Sequence, residues 1–141
     1  MDKVEIFLVK ERIASNANVS CPADIYNLSF IQELRHADRE KFVVVHLNAR
    51  NMIISYEVVS IGTLNASMAH PREVFKAAIL NNAASIMLIH NHPSGDLEPT
   101  GDDVLLTARL KKAGEILGIE VLDHIIASSK GYKSLKEGGS L

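Results

Sequence analysis

Two histidines and an aspartate are spaced so that they could hold one metal ion. His90 and His92 follow an apolar run, and Asp103 comes after a loop rich in proline and glycine. Imidazole and carboxylate groups are ligands that zinc accepts, and three protein ligands leave a fourth position for water. Bound zinc lowers the pKa of such a water to about 7 and polarises a carbonyl group. The spacing therefore favours a catalytic zinc site over a structural one.

A short strand is expected to carry the two histidines. Residues 85–90 are mainly apolar, and the run is too short for a helix before the chain reaches the loop. Side chains alternate along a strand, so His90 and His92 share a face if Asn91 stays extended. The strand would thus deliver two ligands to one side of a sheet.

A helix is expected to carry the aspartate. Thr100 is a suitable N-cap, because its hydroxyl can accept a hydrogen bond from the backbone N–H of Asp102 or Asp103. Asp103 then occupies the third helical position, where the helix dipole favours a carboxylate. A His-x-His pair alone is only a weak indication of a metal site, so a simpler interpretation is also possible. The segment could be a β–α connection with two solvated histidines and an ordinary helix start.

Longer sequence motifs favour the metal site over an ordinary β–α connection. His-x-His, seven residues, Ser or Thr, two residues and Asp resembles the JAMM signature of MPN-type zinc metalloproteases. The words at 70–75 (HPREVF), 90–96 (HNHPSGD) and 123–126 (DHII) resemble the C-terminal domain of the RadC family. The resemblance runs from about Phe7 to the end of the chain. Thr100 stands where the signature usually has Ser, and it keeps the hydroxyl.

Both the segment pattern and the resemblance predict the fold. The order β-α-β-β-α-β-α-β predicts an α/β (α+β) domain with a mixed central sheet flanked by helices, and the resemblance implies the cytidine-deaminase-like JAB/MPN architecture. The chain of 141 residues is expected to form a single domain, 1–141. The predicted elements are a strand within Val4–Ile13, a helix over Pro22–Arg35, strands over Glu40–Asn48 and Met52–Ile61, a helix from Pro71 with an apolar stripe of Val74, Phe75, Ala78 and Ile79, the strand over 85–90, the helix from Thr100 to Gly118, a strand over Glu120–Ala127, and a turn with a short tail.

A zinc hydrolase also needs a base for the water, usually a carboxylate that does not bind the metal. The candidates are Glu40, Glu57 and Glu73. Glu40 is preferred because it begins the first central strand, and Glu40-Lys41-Phe42 resembles the Glu-x-Phe of RadC relatives. The alternative is a solvated charge at a strand end. Glu73 more simply fits the first turn of a helix, where acids are favourable.

Three residues near the ligands could assist. The resemblance implies that the Thr100 hydroxyl stabilises the oxyanion or orients water, although it could be only an N-cap. Ser94 has no neighbouring base, so a serine-hydrolase mechanism is not supported. Asp96 could be a hydrogen-bond partner of a ligand histidine, but a turn that its own carboxylate stabilises is the preferred interpretation.

Three further residues are candidates for the surroundings of the site. His124 follows Asp123 inside an apolar run, and a buried polar pair needs internal hydrogen bonds. We therefore expect His124 to have a structural role near the site rather than to bind metal. His70 could face the cleft. Arg72 could bind a substrate carboxylate or phosphate, or pair with a surface acid.

Composition excludes some classes of function. The chain has 15 Lys and Arg against 17 Asp and Glu, and a net charge of −2 argues against a strong sequence-independent grip on nucleic acid. One cysteine allows neither an intramolecular disulfide nor a multi-cysteine zinc site. No apolar run approaches the roughly 20 residues of a membrane span, and the N-terminus does not read as a signal peptide. A cytoplasmic protein without a membrane partner is expected.

The leading hypothesis is a zinc (Zn2+) metallohydrolase of the JAMM type. His90, His92 and Asp103 would hold zinc, Glu40 would take a proton from water, and Thr100 would assist. The residues themselves indicate a metal-activated water, and the resemblance adds hydrolysis of an amide or isopeptide bond in a peptide or protein substrate. Alternatively, the resemblance implies a DNA-repair-associated or mobile-element accessory protein that binds metal and nucleic acid or a protein partner without turnover. Longer RadC members add an N-terminal helix-hairpin-helix module, which we expect this chain to lack.

Overall fold

The computed structural model describes residues 1–6, 18–61 and 69–141, so most of the strand predicted within Val4–Ile13 lies outside the described residues. The described part contains, in chain order, helices and strands α1 Pro22–Tyr26, α2 Ser29–Arg35, β1 Lys41–Leu47, β2 Ile53–Ile61, α3 Pro71–Leu80, β3 Ser85–Asn91, α4 Gly101–Leu117, β4 Glu120–Ser128 and β5 Gly131–Ser134. None of the helices in this part of the chain is both long and apolar enough to cross a membrane.

The strands form one mixed sheet in the order β2-β1-β3-β4-β5. β3 and β4 are parallel, and the other neighbours are antiparallel. A parallel pair needs a crossover connection, and α4 supplies it between β3 and β4. The central strand β3 is buried along its whole length, as expected for a strand covered on both faces. The predicted mixed sheet with flanking helices is confirmed.

Two hydrophobic cores lie on opposite faces of the sheet because strand side chains alternate. One core packs α3 and α4 against residues such as Phe42, Val44 and Leu88. The other packs α1 and α2 against Val43, Val45 and further residues of the sheet. Residues of β3 that share a face with Leu88 therefore point towards α3 and α4.

A bulge in β4 decides which face its polar residues use. The β3–β4 register pairs Ile86 with Val121 but Met87 with Asp123, which leaves Leu122 as an extra residue. A bulge reverses the alternation beyond it. As a result Val121 packs in the core with α3 and α4. His124 reaches the same face, where its ring forms a T-shaped pair with Phe42, with centroids 5.7 Å apart.

Three predicted details were wrong. The helix predicted over Pro22–Arg35 is two helices, because Leu28 is extended (φ −66°, ψ 145°) and acts as the N-cap of α2. Apolar residues three apart fit two short helices on one face as well as one long helix, so periodicity could not reveal the break. The tail contains an additional strand, β5, which pairs with β4. Ile79 is 52% exposed and is not part of the buried stripe of α3.

Candidate metal centre

The structure brings His90, His92 and Asp103 together at the β3–α4 connection. One ligand atom from each lies within 4.8 Å of the others, and all three residues are buried. The two histidine Nε2 atoms are 2.8 Å apart. Asp103 Oδ1 lies 3.2 Å from His90 Nε2, and Asp103 Oδ2 lies 3.4 Å from His92 Nε2. This group could hold a metal ion.

The donor set fits zinc. Tetrahedral ligands about 2.0–2.1 Å from zinc stand about 3.3 Å from each other. The two imidazole-to-carboxylate separations of 3.2 and 3.4 Å agree with that spacing, and the histidine pair is somewhat closer. Two bare imidazole nitrogens and a carboxylate that face one buried point need a cation or a proton between them, because burial of an uncompensated charge is costly.

Strand geometry positions the two histidines. β3 continues through Asn91, so the extended conformation required for a shared face is present. The His92 N–H then donates to the carbonyl of Ala127 at 3.1 Å, which continues the pairing with β4 for one more residue. His90 and His92 therefore project from the face that α4 covers.

The start of α4 positions Asp103. Thr100 is the N-cap, and its Oγ1 accepts from the backbone N–H of Asp103 at 3.1 Å. In return, Asp103 Oδ2 accepts from the backbone N–H of Thr100 at 2.8 Å. This reciprocal capping box satisfies two backbone donors, and it fixes the carboxylate with its Oδ1 directed at His90. The predicted capping by Thr100 is confirmed.

The loop between β3 and α4 fixes the ring of His92. The backbone carbonyl of Asp96 accepts from His92 Nδ1 at 2.6 Å, which leaves Nε2 as the ligand atom. The Asp96 carboxylate instead accepts from the backbone N–H of Glu98 at 3.0 Å, which is the turn that the sequence favours. Asp96 thus supports the ligand through its main chain, while its side chain shapes the loop.

A buried histidine, His124, contacts the ring nitrogen of His90 that points away from the candidate metal position. His124 Nε2 lies 2.7 Å from His90 Nδ1, and its other nitrogen, Nδ1, lies 2.6 Å from Thr107 Oγ1. Burial lowers the pKa of His124 well below the ordinary histidine value, so the ring is neutral. Asp123 does not face this site, because its carboxylate accepts from the backbone N–H of His124 and Lys136 and from the Ser134 hydroxyl.

Electrostatics within the group agree with a cation site. Burial by itself would raise the pKa of Asp103, but hydrogen bonds from His90 and His92 outweigh it and hold the pKa well below the usual aspartate range. The hydrogen bond to Asp103 raises the pKa of His92, while burial opposes that rise. The carboxylate is therefore ionised, and it attracts positive charge to this point.

Glu40 lies beside the group. The β1–β3 register pairs Phe42 with His90, and continued by two residues it brings Glu40 opposite His92. The charge of Glu40 is among the influences that raise the pKa of His92. Asn91 holds this part of the chain from both sides, because its Oδ1 accepts from the Lys41 N–H at 2.7 Å and its Nδ2 donates to the Arg39 carbonyl at 2.9 Å.

The other candidate glutamates lie elsewhere. Glu57 sits opposite Val44 on β2, where burial raises the pKa of its carboxyl group and the charges of Lys76 and Glu73 also act on it. Glu73 is in the first turn of α3 and is 3.6 Å from the Lys76 ammonium. These two acids thus belong to the β2–α3 surface.

Three predicted residues have no described contact with the ligands. The Ser94 hydroxyl accepts from the Asp96 N–H at 3.3 Å and is exposed. His70 is the N-cap of α3, without a side-chain capping bond. The side chain of Arg72 is 76% exposed, and its Nε is 4.0 Å from Glu73.

Asn91 and Thr107 were not among the site residues predicted from the sequence. Asn91 lies between the two histidines and looks like a spacer, but alternation turns it to the opposite face and towards β1. Thr107 is one helical turn after Asp103, so its position towards the site was readable once Asp103 was a ligand candidate. Its hydrogen bond to His124 joins α4 to β4 and required the tertiary structure.

Comparison with known proteins gives a consistent result. A family model described as "RadC-like JAB domain" matches residues 19–140. A UPF0758 protein of Caldanaerobacter subterraneus subsp. tengcongensis is 54% identical over 124 residues, which cover 88% of this chain and 53% of the relative. UPF0758 proteins of Desulforamulus reducens and Methanosarcina mazei are 51% and 47% identical over 121 residues, covering 86% of this chain and 53% and 52% of those relatives. The chain thus spans about half the length of these relatives.

Proposed function

Because the chain belongs to the RadC-like JAB domain family, we propose that it is a zinc-dependent hydrolase of the JAMM type that cleaves a peptide or isopeptide bond. The observation that carries the proposal is the buried convergence of His90, His92 and Asp103 on one point. Glu40, a carboxylate outside this ligand set, comes directly before β1, and its charge acts on His92. Ligands and an adjacent base are the parts that metal-assisted hydrolysis requires.

Each residue of the site has a separate role in the proposed hydrolysis. Zinc, when bound, supplies Lewis-acid chemistry that acidifies water and polarises a carbonyl group. Glu40 accepts the proton that the attacking water loses. The Thr100 hydroxyl uses its oxygen to accept from the Asp103 N–H, so its proton is available to the oxygen of the scissile carbonyl. Asp103 and the two histidines would hold the metal.

Metal content tests the first half of the proposal. We expect about one zinc per chain in the purified protein, and loss of that zinc in His92→Ala and Asp103→Asn. Asp102→Asn is the matched control, because Asp102 is the exposed neighbour in the same helical turn and should retain zinc. Absence of zinc from folded wild-type protein after reconstitution, or equal loss in the Asp102 control, contradicts the metal site.

Hydrolysis tests the second half. A proteome-derived peptide library and an isopeptide-linked peptide set are incubated with zinc-loaded protein, and new amino termini are identified by mass spectrometry. We expect cleavage by wild type, and a loss of about 100-fold or more in Glu40→Gln with zinc retained. Glu33→Gln, an exposed acid on α2, should cleave like wild type. Equal cleavage by wild type and Glu40→Gln excludes Glu40 as the base.

A further inference from the structure

The tautomers of His92 and His90 are determined in different ways. The Nδ1 of His92 faces a backbone carbonyl, which can only accept, so its tautomer is determined directly. The Nδ1 of His90 instead faces another imidazole nitrogen, His124 Nε2, at 2.7 Å. Either ring could donate in that contact. If His124 donated, the proton of His90 would sit on Nε2 and block the ligand atom.

Thr107 decides between the two arrangements. Its Oγ1 lies 2.6 Å from the carbonyl oxygen of Asp103 and 2.6 Å from His124 Nδ1. The hydroxyl has one proton, and the carbonyl can only accept, so that proton belongs to the bond with Asp103. Thr107 Oγ1 is then the acceptor for His124, which places an N–H on His124 Nδ1. A second proton on Nε2 would leave a charged ring fully buried, with Thr107 and His90 rather than a carboxylate as its hydrogen-bond partners, and such burial is costly.

We propose that Thr107 and His124 form a relay that holds His90 in its Nδ1–H tautomer and so presents the His90 Nε2 lone pair to the metal. With its proton on Nδ1, His124 has a lone pair on Nε2 and accepts from His90 Nδ1–H. The relay begins at the carbonyl of Asp103, one turn before Thr107 in α4. One helical turn therefore supplies a ligand carboxylate and also fixes the tautomer of a ligand on β3.

Packing keeps the relay in place. Thr107 and His124 are 1% and 0% exposed, so water does not compete for these hydrogen bonds. The ring of His124 packs in a T-shaped arrangement with Phe42 and is tilted 57° to the ring of His90. Partners that orient ligand histidines in this way typically change metal affinity by about 10–100-fold. Thr107 and His124 are thus positioning residues, and the inference rests on the proposed metal site.

Histidine tautomers in the metal-free protein provide the first test. Long-range ¹H–¹⁵N NMR spectra are recorded at about pH 8, above the ordinary histidine pKa. We expect wild-type His124 to carry its proton on Nδ1, and Thr107→Val to lose this preference. A proton on Nε2 of His124 in wild-type protein overturns the proposal. This readout needs no zinc, so it stands apart from failure of the proposed hydrolase.

Zinc affinity provides the second test. Thr107→Val keeps the shape of the side chain but removes the hydroxyl, and it should weaken zinc binding by about 10–100-fold. Thr107→Ser restores the hydroxyl and should bind within a few-fold of wild type. A merely structural Thr107 would lower the unfolding midpoint and leave zinc affinity unchanged, and that outcome contradicts the relay. If Thr107→Val does not fold, the relay is tested by the tautomer of His124 in wild-type protein and by the zinc affinity of Thr107→Ser.

Discussion

Each ligand side chain has its remaining polar atoms engaged by a different part of the fold. His92 Nδ1 bonds the Asp96 carbonyl, His90 Nδ1 bonds His124, and Asp103 Oδ2 accepts from the Thr100 N–H. Each residue can therefore turn toward the shared point in only one way. At the scale of residues, this restriction distinguishes a preorganised ligand set from three polar side chains that meet by chance.

The contacts of Asn91 lead to a prediction about Glu40. Asn91→Ala removes hydrogen bonds on both sides of Glu40, which should cost about 1–3 kcal/mol of stability and speed hydrogen exchange at the Lys41 amide. Zinc affinity should remain near wild type, while peptide cleavage falls. Asn48→Ala is the matched control, because Asn48 similarly binds two backbone amides, those of Arg50 and Met52, at the distant β1–β2 turn. Equal loss of cleavage in both variants would show that Asn91 does not position Glu40.

Burial of Glu57 predicts a pH-dependent stability. Its folded pKa is raised above the ordinary 4.5 by burial, so the ionised form is disfavoured in the folded state. The resulting cost is absent below the ordinary pKa, grows as pH rises through the raised pKa, and is full above it. Glu57→Gln should be more stable than wild type near pH 7, by less than about 1 kcal/mol because the group is only partly buried. Urea unfolding at about pH 7 and pH 4 should show the difference vanish at low pH, and a constant difference would contradict this account.

At the scale of elements, the site depends on where β3 ends and where α4 begins. β3 provides two of the candidate ligands, and the first turn of α4 provides the third. The capping box at Thr100 does two things at once, because it stabilises the helix and orients Asp103. Helix stability and the proposed metal binding would therefore be coupled at this helix start.

Loss of the cap should be measurable. Thr100→Ala removes the hydroxyl that accepts from the Asp103 N–H, which should lower the unfolding free energy of the metal-free protein by about 1 kcal/mol. Thr100→Ser keeps the oxygen and should stay within about 0.5 kcal/mol of wild type. Urea denaturation of the three proteins checks this order. If serine is as destabilising as alanine, the hydroxyl is not the stabilising group.

Close packing near the end of α4 predicts that Gly114 cannot be replaced without a loss of stability. A Cβ at Gly114 would lie 2.4 Å from the carbonyl oxygen of Ile119, whose backbone leads into β4. Gly114→Ala should therefore destabilise by about 1–3 kcal/mol. Gly101→Ala is the control, since nothing lies within 4 Å of its Cβ position, and it should be at least as stable as wild type. The midpoints of thermal unfolding compare the two, and equal midpoints would contradict the steric account.

At the scale of the whole molecule, the candidate ligands join two layers. Two come from the sheet and one from the α3–α4 layer, on the same face as one of the two hydrophobic cores. A metal ion there would tie the layers together in the folded state only. Binding that is specific to the folded state must raise its stability.

Zinc should accordingly raise the unfolding temperature. At 100 times its dissociation constant, free zinc adds about 2.7 kcal/mol, which corresponds to an increase of about 10 °C for a domain of this size. Scans with zinc and with a chelator compare wild type with Asp103→Asn. The variant should show little or none of the shift. A shift of equal size in both proteins would mean that zinc binds elsewhere.

The convergence of His90, His92 and Asp103 was predictable from the sequence because its signals are local. A strand that ends at alternating histidines, a loop with helix-breaking residues and an N-cap three residues before an aspartate all act over short distances. The helix from Thr100 to Gly118 followed for the same reason, since the left-handed Gly118 (φ 71°) ends it. The catalytic roles of Glu40 and Thr100 and the use of zinc were also hypotheses of the sequence, and they remain proposals.

Other parts of the site depended on pairings between distant residues. The bulge at Leu122 turns His124 towards His90, and simple alternation along β4 does not reveal it. The hydrogen bond between Asn91 and the Lys41 N–H exists only because β1 and β3 are neighbours in this register. Thr107 reaches His124 only when α4 crosses over the β3–β4 pair. The sequence by itself determined the three candidate ligands, because their geometry is local. The tertiary structure decided the hydrogen bonds that orient them, because those bonds join separate elements.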